Sequence, residues 1–264
     1  MRIAGPGHIG VLFGSEVKKF SGLAFILLLA GCNGTQTTTP LPTLQPLTIA
    51  ITPAVWPLQE AVHRCAVAQP EVALVLNELP APYLDSATAD LALRFSEPFK
   101  ISGYAASVAW EKIAIIVHPD NPIRALDQTQ LRVLFTGHAD SWASVGGPEQ
   151  RLQVWTFPEN DDARQVFDSA ILASGSLASE AMLASDPTQM IREVAANPGA
   201  IGYVPGAWLT DQVRALELAP DLRALLRQPV LALAMAEPKG AARRFLACLQ
   251  SGAGQDELRK NYQP

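Results

Sequence analysis

The chain has 264 residues, nearly half of them hydrophobic, and a formal net charge of −5. This length accommodates one large domain or two small lobes. The acidic balance argues against a nucleic-acid partner, which would require a basic face.

The N-terminal segment has the organisation of an export signal. Lys18 and Lys19 precede a short apolar run at 22–30, which ends in small residues. A charged stretch, a short apolar stretch and small residues before a cleavage point are typical of secretory signals. The run is much shorter than the ~20 residues that span a bilayer. We therefore predict a signal peptide over residues 1–31.

A lipid-attachment motif ends this signal. Residues 29–32 read LAGC, which resembles the bacterial lipobox, whose cysteine becomes the lipid-modified first residue. Residues 32–47 are rich in Thr and Pro, a composition that favours an extended linker. We therefore predict that Cys32 carries the lipid, and that the protein is extracytoplasmic and anchored to the bacterial cell membrane.

Predicted strands and helices alternate along the rest of the chain. Apolar runs bounded by turn residues predict strands at 47–51, 72–76, 89–95, 113–117, 152–157, 200–204 and 230–234. Apolar residues at helical spacing predict helices that begin near 57 and 127 and that cover 161–173, 188–196, 241–249 and 255–261. Asp127 and Gln130 have the spacing of a capping box. This alternation predicts an α/β fold with largely parallel sheets.

Two cysteines, Cys65 and Cys248, follow Cys32. Cys65 lies on the apolar stripe of the first predicted helix, so packing in the core accounts for it. The pair either forms a disulfide, which an oxidising compartment permits, or remains as two buried free thiols. The sequence leaves both alternatives open.

Three stretches of the chain share their order and spacing with a known family. The first contains IAIIVHPDNP (113–122), LRVLFTG (131–137) and SWASVGG (141–147), the second is NPGAIGYV (197–204), and the third begins with GAARRFL (240–246). Together they resemble the phosphate-type family of ABC-transporter solute-binding proteins, in the periplasmic binding protein type II superfamily. The resemblance extends over about residues 47–263.

The resemblance implies two α/β lobes that are joined by two crossing strands and close on a ligand by a hinge motion. The first lobe would combine 48–117 with 206–264, which hold both Cys65 and Cys248, and the second would be 118–205. It also implies capture of a small polar solute, a phosphate-like oxyanion in the family, for an ABC permease, and we expect a monomer. The alternative is a sensor or interaction lipoprotein that keeps the fold but has no ligand.

The resemblance also points to site residues at two strand ends. The family's Gly-Ser/Thr turn after the first strand matches 52–54, so Thr52 either donates its hydroxyl to a ligand or serves as a helix-entry residue. The family's Ser-Asp or Ser-Arg pair after the third strand matches the segment with Arg94 and Ser96. Arg94 is the leading candidate for contacting an anion, with Ser96 beside it. The alternative is a surface arginine at a strand end.

The helix predicted to begin at residue 161 departs from the family pattern. The family has an Arg followed by Ser-Gly-Thr here, whereas Phe157 takes the Arg position and Asp161-Asp162-Ala163 replace Ser-Gly-Thr. Carboxylates cap a helix well, but they use the donors that a phosphate needs and repel it. Asp161 and Asp162 would therefore suit a cationic or neutral polar solute, or no solute. Arg164 either compensates part of this charge at the ligand or is a solvated helix residue.

The sequence lacks the common enzyme motifs. It contains no Gly-x-Ser-x-Gly elbow, no His-Glu-x-x-His pair and no Gly-x-x-x-x-Gly-Lys loop. His63, His118 and His138 have no Cys or second His at ligand spacing. We therefore expect a protein that is not an enzyme, with no catalytic residue, no metal site and no cofactor.

Overall fold

The computed structural model describes residues 44–84, 89–96, 103–173 and 175–262. The predicted signal peptide, the predicted lipidation site Cys32 and the linker up to residue 43 lie outside the described residues. Among the helices within the described ranges, none is long and apolar enough to cross a membrane.

The described residues contain nine strands, which hydrogen-bond into one sheet. In chain order the strands are β1 (Gln45–Ile51), β2 (Val72–Glu78), β3 (Leu91–Phe95), β4 (Tyr104–Val117), β5 (Gln153–Thr156), β6 (Met182–Leu183), β7 (Ala200–Pro205), β8 (Arg214–Ala215) and β9 (Arg227–Ala234). The helices are α1 (Gln59–Val67), α2 (Ala81–Leu84), α3 (Gln128–Phe135), α4 (Asp162–Phe167), α5 (Pro187–Ala196), α6 (Pro220–Leu225), α7 (Gly240–Gln250) and α8 (Gly252–Leu258). The strand predicted at 113–117 is thus the end of a much longer strand, β4.

The sheet combines parallel and antiparallel pairing. Its strand order is β2-β1-β3-β9-β4-β7-β5-β6, and β8 also pairs with β4. β1 runs parallel to β2 and β3, and β5 runs parallel to β6 and β7. In the centre, β9 is antiparallel to β3 and β4, and β4 is antiparallel to β7. The predicted α/β class is confirmed, with parallel pairing at the flanks and antiparallel pairing where the long central strands meet.

The longest strand, β4, connects two parts of this sheet. Its residues 104–112 pair with β9, whereas residues 113–117 pair with β7. We call β2, β1, β3, β9 and the first part of β4 the first half-sheet, and the second part of β4 with β7, β5, β6 and β8 the second half-sheet. The change of partner falls between Lys112 and Ile113, ahead of the predicted crossing at Val117. The division into lobes stays a prediction.

Local signals and long-range packing both shape the helices. The Asp127 side chain accepts from the Gln130 N–H (2.8 Å) and the Gln130 side chain accepts from the Asp127 N–H (2.9 Å), so the predicted capping box at the start of α3 is confirmed. Buried apolar side chains from strands and helices form one continuous core, and residues 42–264 make up one compact unit.

Cys65 of α1 and Cys248 of α7 form a disulfide, which decides between the two alternatives that the sequence left open. Cys65 is fully buried in the core, as predicted. The bond joins positions separated by 183 residues, and restricting so long a loop in the unfolded chain contributes about 5 kcal/mol in the chain-entropy account. Gly254 of α8 packs against the bond, because a Cβ there would collide with the Cys65 Sγ and the Cys248 carbonyl.

Candidate functional site

Three hydrogen-bond donors meet at one edge of the first half-sheet. Thr52 directly follows β1, and Arg94 and Phe95 are the last two residues of β3. Since β1 and β3 are parallel neighbours, their carboxyl ends lie side by side, where ligands of α/β sheets commonly bind. The Thr52 N–H donates to the Leu93 carbonyl at 3.0 Å, which fixes Thr52 beside β3.

The carboxylate of Asp162, from the start of α4, lies among these donors. Its Oδ2 accepts from the Thr52 hydroxyl at 2.9 Å and from the Phe95 N–H at 3.2 Å. Its Oδ1 accepts from the Arg94 guanidinium, with which it forms an ion pair. The Asp162 side chain is 0% exposed and that of Arg94 is 5% exposed. The alternative of Arg94 as a surface residue is therefore wrong.

Asp161, the neighbouring carboxylate, caps α4. Its side chain accepts from the N–H of Ala163 at 2.8 Å and from the N–H of Arg164 at 3.1 Å. It therefore uses first-turn donors of the helix, as an N-cap aspartate does. This leaves Asp162, the first helical residue, to extend toward the first half-sheet.

Burial dominates the electrostatics of both aspartates. Burial raises the pKa of Asp161 to about 7, and repulsion from Asp162 adds to this rise. Burial also raises the pKa of Asp162, while Arg94, the Thr52 hydroxyl and the Phe95 N–H oppose that rise by stabilising the carboxylate. A buried carboxylate is costly without such partners, so the Asp162 position depends on all three donors.

Arg164 is buried and bonded within its own part of the molecule. Its Nη1 donates to the Thr156 hydroxyl at 3.1 Å and to the Phe157 carbonyl at 2.9 Å, and its Nε donates to Asp168 at 2.6 Å. The alternative of a solvated helix charge is wrong, because the side chain is only 11% exposed. These contacts make Arg164 a brace between α4 and the end of β5.

Ser96 has a strained backbone next to the site. Its φ is 71°, in the left-handed region that residues other than glycine rarely adopt. Its N–H donates to the Pro229 carbonyl of β9 at 2.9 Å, which holds this conformation. Such strain is concentrated at functional sites. The contact of Ser96 with a ligand stays a prediction.

Sequence reasoning missed a buried acid, Glu111, at the point where β4 changes partner. Its Oε1 accepts from the Lys112 N–H at 2.7 Å and its Oε2 accepts from the Ala207 N–H at 3.0 Å, just after β7. Burial raises the pKa of Glu111 to about 7, although these N–H groups oppose the rise. The available signal was a pair of charged residues, Glu111 and Lys112, directly before the apolar run at 113–117.

The Phe95 N–H was also missed, because a backbone donor leaves no mark in the sequence. A further link near the site comes from Trp208, whose Nε1 donates to the carbonyls of Pro53 and Ala54 at 3.2 and 3.1 Å. It joins the segment after β7 to the turn after β1. No cluster of three or more His, Cys, Asp or Glu side chains that could hold a metal ion occurs in the part of the chain that the structure describes.

Comparison with known proteins identifies the family. A sequence model of the PBP superfamily domain matches residues 97–230. The phosphate-binding protein PstS of Bacillus subtilis (strain 168) is 29% identical over 154 residues, which are 54% of this chain. The match covers 51% of that relative, so the chain spans about half the length of the curated relative it matches.

Two solved structures share the fold across nearly their whole length. A Clostridium perfringens protein assigned as a phosphate ABC transporter substrate-binding protein, solved with bound phosphate, is 19% identical with a TM-score of 0.73, covering 83% of this chain and 98% of that one. An ABC-type phosphate transport receptor from Vibrio cholerae is 20% identical with a TM-score of 0.68, covering 83% and 99%. The predicted resemblance to phosphate-type solute-binding proteins is thus confirmed, and the chain belongs to the PBP superfamily.

Proposed function

We propose that this protein is an extracytoplasmic solute-binding protein that captures a small oxyanion, phosphate or a close analogue, for an ABC importer. The observation that carries the proposal is the convergence of the Thr52 hydroxyl, the Arg94 guanidinium and the Phe95 N–H on one buried anionic group, the Asp162 carboxylate. A hydroxyl, an arginine and a backbone N–H are the donor types that oxyanions need, since oxyanion oxygens only accept.

Asp162 stands in for the ligand in this arrangement. Its two oxygens hold the positions that two oxygens of a solute oxyanion would take beside Thr52 and Arg94. Asp162 belongs to α4, in the predicted lobe 118–205, and the donors belong to the predicted lobe 48–117 with 206–264. Separation of these lobes at the two connections, near Lys112 of β4 and after β7, would therefore free the donors.

The names of the relatives support phosphate as the first solute to test. The PstS relative from Bacillus subtilis is named for phosphate binding, and the structure from Clostridium perfringens contains bound phosphate. We place Thr52, Arg94, the Phe95 N–H and Ser96 at the solute. Arg164 is not included, because its Nε and Nη1 already donate to protein acceptors.

The location outside the cytoplasm rests on separate features. The signal at 1–31 and the LAGC motif that ends at Cys32 support cleavage and lipid attachment. The disulfide between Cys65 and Cys248 supports an oxidising compartment. The predicted linker at 32–47 is shorter than expected at its end, because β1 already begins at Gln45. A monomer tethered by the residues between Cys32 and β1 would deliver its solute to a permease in the same membrane.

Thermal unfolding of residues 42–264 with a panel of solutes tests this function. The panel contains phosphate, sulfate, molybdate, amino acids, polyamines and sugars. A ligand at 100 times its Kd adds about 2.7 kcal/mol to the free energy of unfolding, which raises the Tm of a domain of this size by roughly 5–10 °C. We expect this shift with phosphate or another oxyanion, and a panel without any oxyanion shift would contradict the proposal.

The contacts of Asp162 also favour a second function. Asp162 already accepts from Thr52, Arg94 and the Phe95 N–H. If Asp162 never leaves these donors, no solute can reach them, and the protein would function without a ligand. It would then act as a sensor or interaction protein that keeps the fold. A panel in which no solute raises the Tm would favour this function.

A further inference from the structure

Asp162 lies at the start of α4, which follows β5 of the second half-sheet, and it bonds to donors at strand ends of the first half-sheet. These are the donors that an incoming oxyanion would use. Thr52 lies 110 residues away from Asp162 in sequence and Arg94 lies 68 residues away. Both carboxylate oxygens are engaged, one by Thr52 and Phe95 and the other by Arg94. A solute oxyanion and Asp162 therefore compete for one set of donors.

Two ordinary roles do not account for Asp162. Helix capping is one, but Asp161 already accepts from the Ala163 and Arg164 N–H groups and caps α4 by itself. Stability is the other, but a buried ion pair often stabilises a fold no more than well-packed apolar residues of the same volume would. The retained pair with Arg94 calls for a different explanation.

Arg94 has binding capacity that Asp162 leaves unused. The Nη2 of Arg94 donates to Asp162, whereas its buried Nε–H has no acceptor among the residues that the structure describes. A guanidinium binds an oxyanion most strongly through two parallel N–H groups, and an unpaired buried donor costs free energy. Asp162 has two carboxylate oxygens, and one of them is occupied by Thr52 and Phe95. A tetrahedral oxyanion has further oxygens, so it can accept from both Nη2 and Nε of Arg94.

We propose that Asp162 is an intramolecular oxyanion that fills the anion site in the absence of solute and latches the two half-sheets together. The inference rests on the proposed function, because it assumes that the same donors take up a free oxyanion. A solute binds only after Asp162 leaves, so its apparent affinity is lowered by the fraction of molecules in which the donors are free. Asp162 thereby sets the threshold concentration of the solute.

The test compares phosphate binding to the wild type and to Asp162→Asn by titration calorimetry. Asparagine keeps the shape of the side chain and one oxygen for Thr52 and Phe95, but it loses the charge that pairs with Arg94. We expect the phosphate affinity of the variant to rise about 10- to 100-fold, the usual range for coupled equilibria of this kind. Small-angle X-ray scattering without phosphate should also give a larger radius of gyration for the variant, because the latch is released.

Asp161→Asn is the matched control. At pH 8, above the raised pKa of Asp161, it removes the same charge one residue away, and asparagine still caps α4 well. General loss of negative charge near the site affects both variants, whereas loss of the latch affects only Asp162→Asn. We expect the control to raise phosphate affinity less than about threefold, because Asp161 bonds to the Ala163 and Arg164 N–H groups and to none of the proposed phosphate donors, so that only its charge acts on the phosphate.

The outcomes separate the latch from the proposed function. If the wild type binds phosphate and Asp162→Asn binds it no more tightly than Asp161→Asn, the latch is overturned and the function stands. If only Asp162→Asn binds phosphate, the latch is supported, and the wild type fails as a phosphate carrier. If no variant binds an oxyanion and the radius of gyration is unchanged, both proposals are overturned.

A second substitution provides the test if Asp162→Asn does not fold. Asp162→Glu keeps the charge but lengthens the side chain by one methylene group, which weakens the fit to Thr52 and Phe95 while leaving a partner for Arg94. We expect phosphate affinity to rise by a smaller factor, about 3- to 10-fold, for this weaker latch. An affinity equal to that of the wild type would count against the latch.

Discussion

At the ends of β1 and β3 the site offers donors, whereas at the start of α4 it offers carboxylates. The donor side consists of Thr52, Arg94 and the Phe95 N–H, and the α4 side presents Asp161 and Asp162. The donor side agrees with the resemblance to phosphate-type proteins, and the α4 side is where the chain departs from it. In the anion site that we propose, the chain keeps the donors and its own Asp162 supplies the anion.

The two buried arginines show the same contrast. Arg94 pairs with Asp162 of α4, the helix that follows β5 of the other half-sheet, and leaves its Nε–H without an acceptor in the described residues. Arg164 bonds to Thr156, Phe157 and Asp168, all near its own helix. Arg94 thus depends on how the half-sheets are arranged, and Arg164 does not. Substitutions on each side can break or sharpen this contrast.

The largest effect is expected for Arg94→Ala. The substitution leaves the Asp162 carboxylate buried without a cation, so we expect a loss of about 3–5 kcal/mol in the free energy of unfolding. Urea unfolding measures it. The double variant Arg94→Ala/Asp162→Ala removes both charges and should recover part of the loss. If the loss in the double variant equals the sum of the losses in Arg94→Ala and Asp162→Ala, the two side chains are not coupled.

The point where β4 passes from the first half-sheet to the second is tested by Glu111→Gln. The folded chain releases the proton of Glu111 only around pH 7, because burial raises its pKa to about 7 from an ordinary value of 4.5. The unfolded chain releases that proton near pH 4.5, so the stability contributed by this group falls as pH rises from about 4.5 to 7. Glutamine cannot titrate, so the decrease in the free energy of unfolding between pH 4.5 and 7 should be smaller in the variant by up to about 3 kcal/mol.

Urea unfolding at a series of pH values checks this prediction. Asp161 also has a raised pKa, so some fall in stability with pH should persist in the variant. The difference between the two curves isolates Glu111. Parallel curves for wild type and variant from pH 4.5 to 7.5 would contradict the assignment.

A smaller, local effect is expected for Arg164→Ala on the α4 side. The variant loses hydrogen bonds to Thr156 and Phe157 and the pair with the half-exposed Asp168, which together stabilise the fold by about 2 kcal/mol. Oxyanion binding should persist, because Arg164 is not among the proposed ligand contacts. Loss of oxyanion binding in this variant, with binding retained in Arg94→Ala, would reverse the roles that we assign to the two arginines.

The smallest effect is expected for Thr52→Val on the donor side. Valine keeps the shape of threonine but removes the hydroxyl that donates to Asp162, at a cost of about 1 kcal/mol in the free energy of unfolding. Thr52→Ser keeps the hydroxyl and serves as the control. Equal stability of the two variants in urea unfolding would mean that this hydrogen bond contributes nothing.

Short-range patterns in the sequence were sufficient for most of the secondary structure. The capping box of Asp127 and Gln130 involves residues three apart, and the structure has it as predicted. The runs at 72–76 and 200–204 became strands because apolar residues between turn residues are a local signal. The first half of β4 was missed, since residues 104–112 mix apolar, polar and charged side chains.

The sequence by itself determined the α/β class, the order of the elements and the chemical types of the candidate site residues. The tertiary structure alone decided that Asp162 reaches Thr52 and Arg94 and that Cys65 bonds to Cys248. The physical reason is distance along the chain. Capping and amphipathic spacing act within a few residues, whereas these partners are 68 to 183 residues apart and meet only because distant strands and helices pack together.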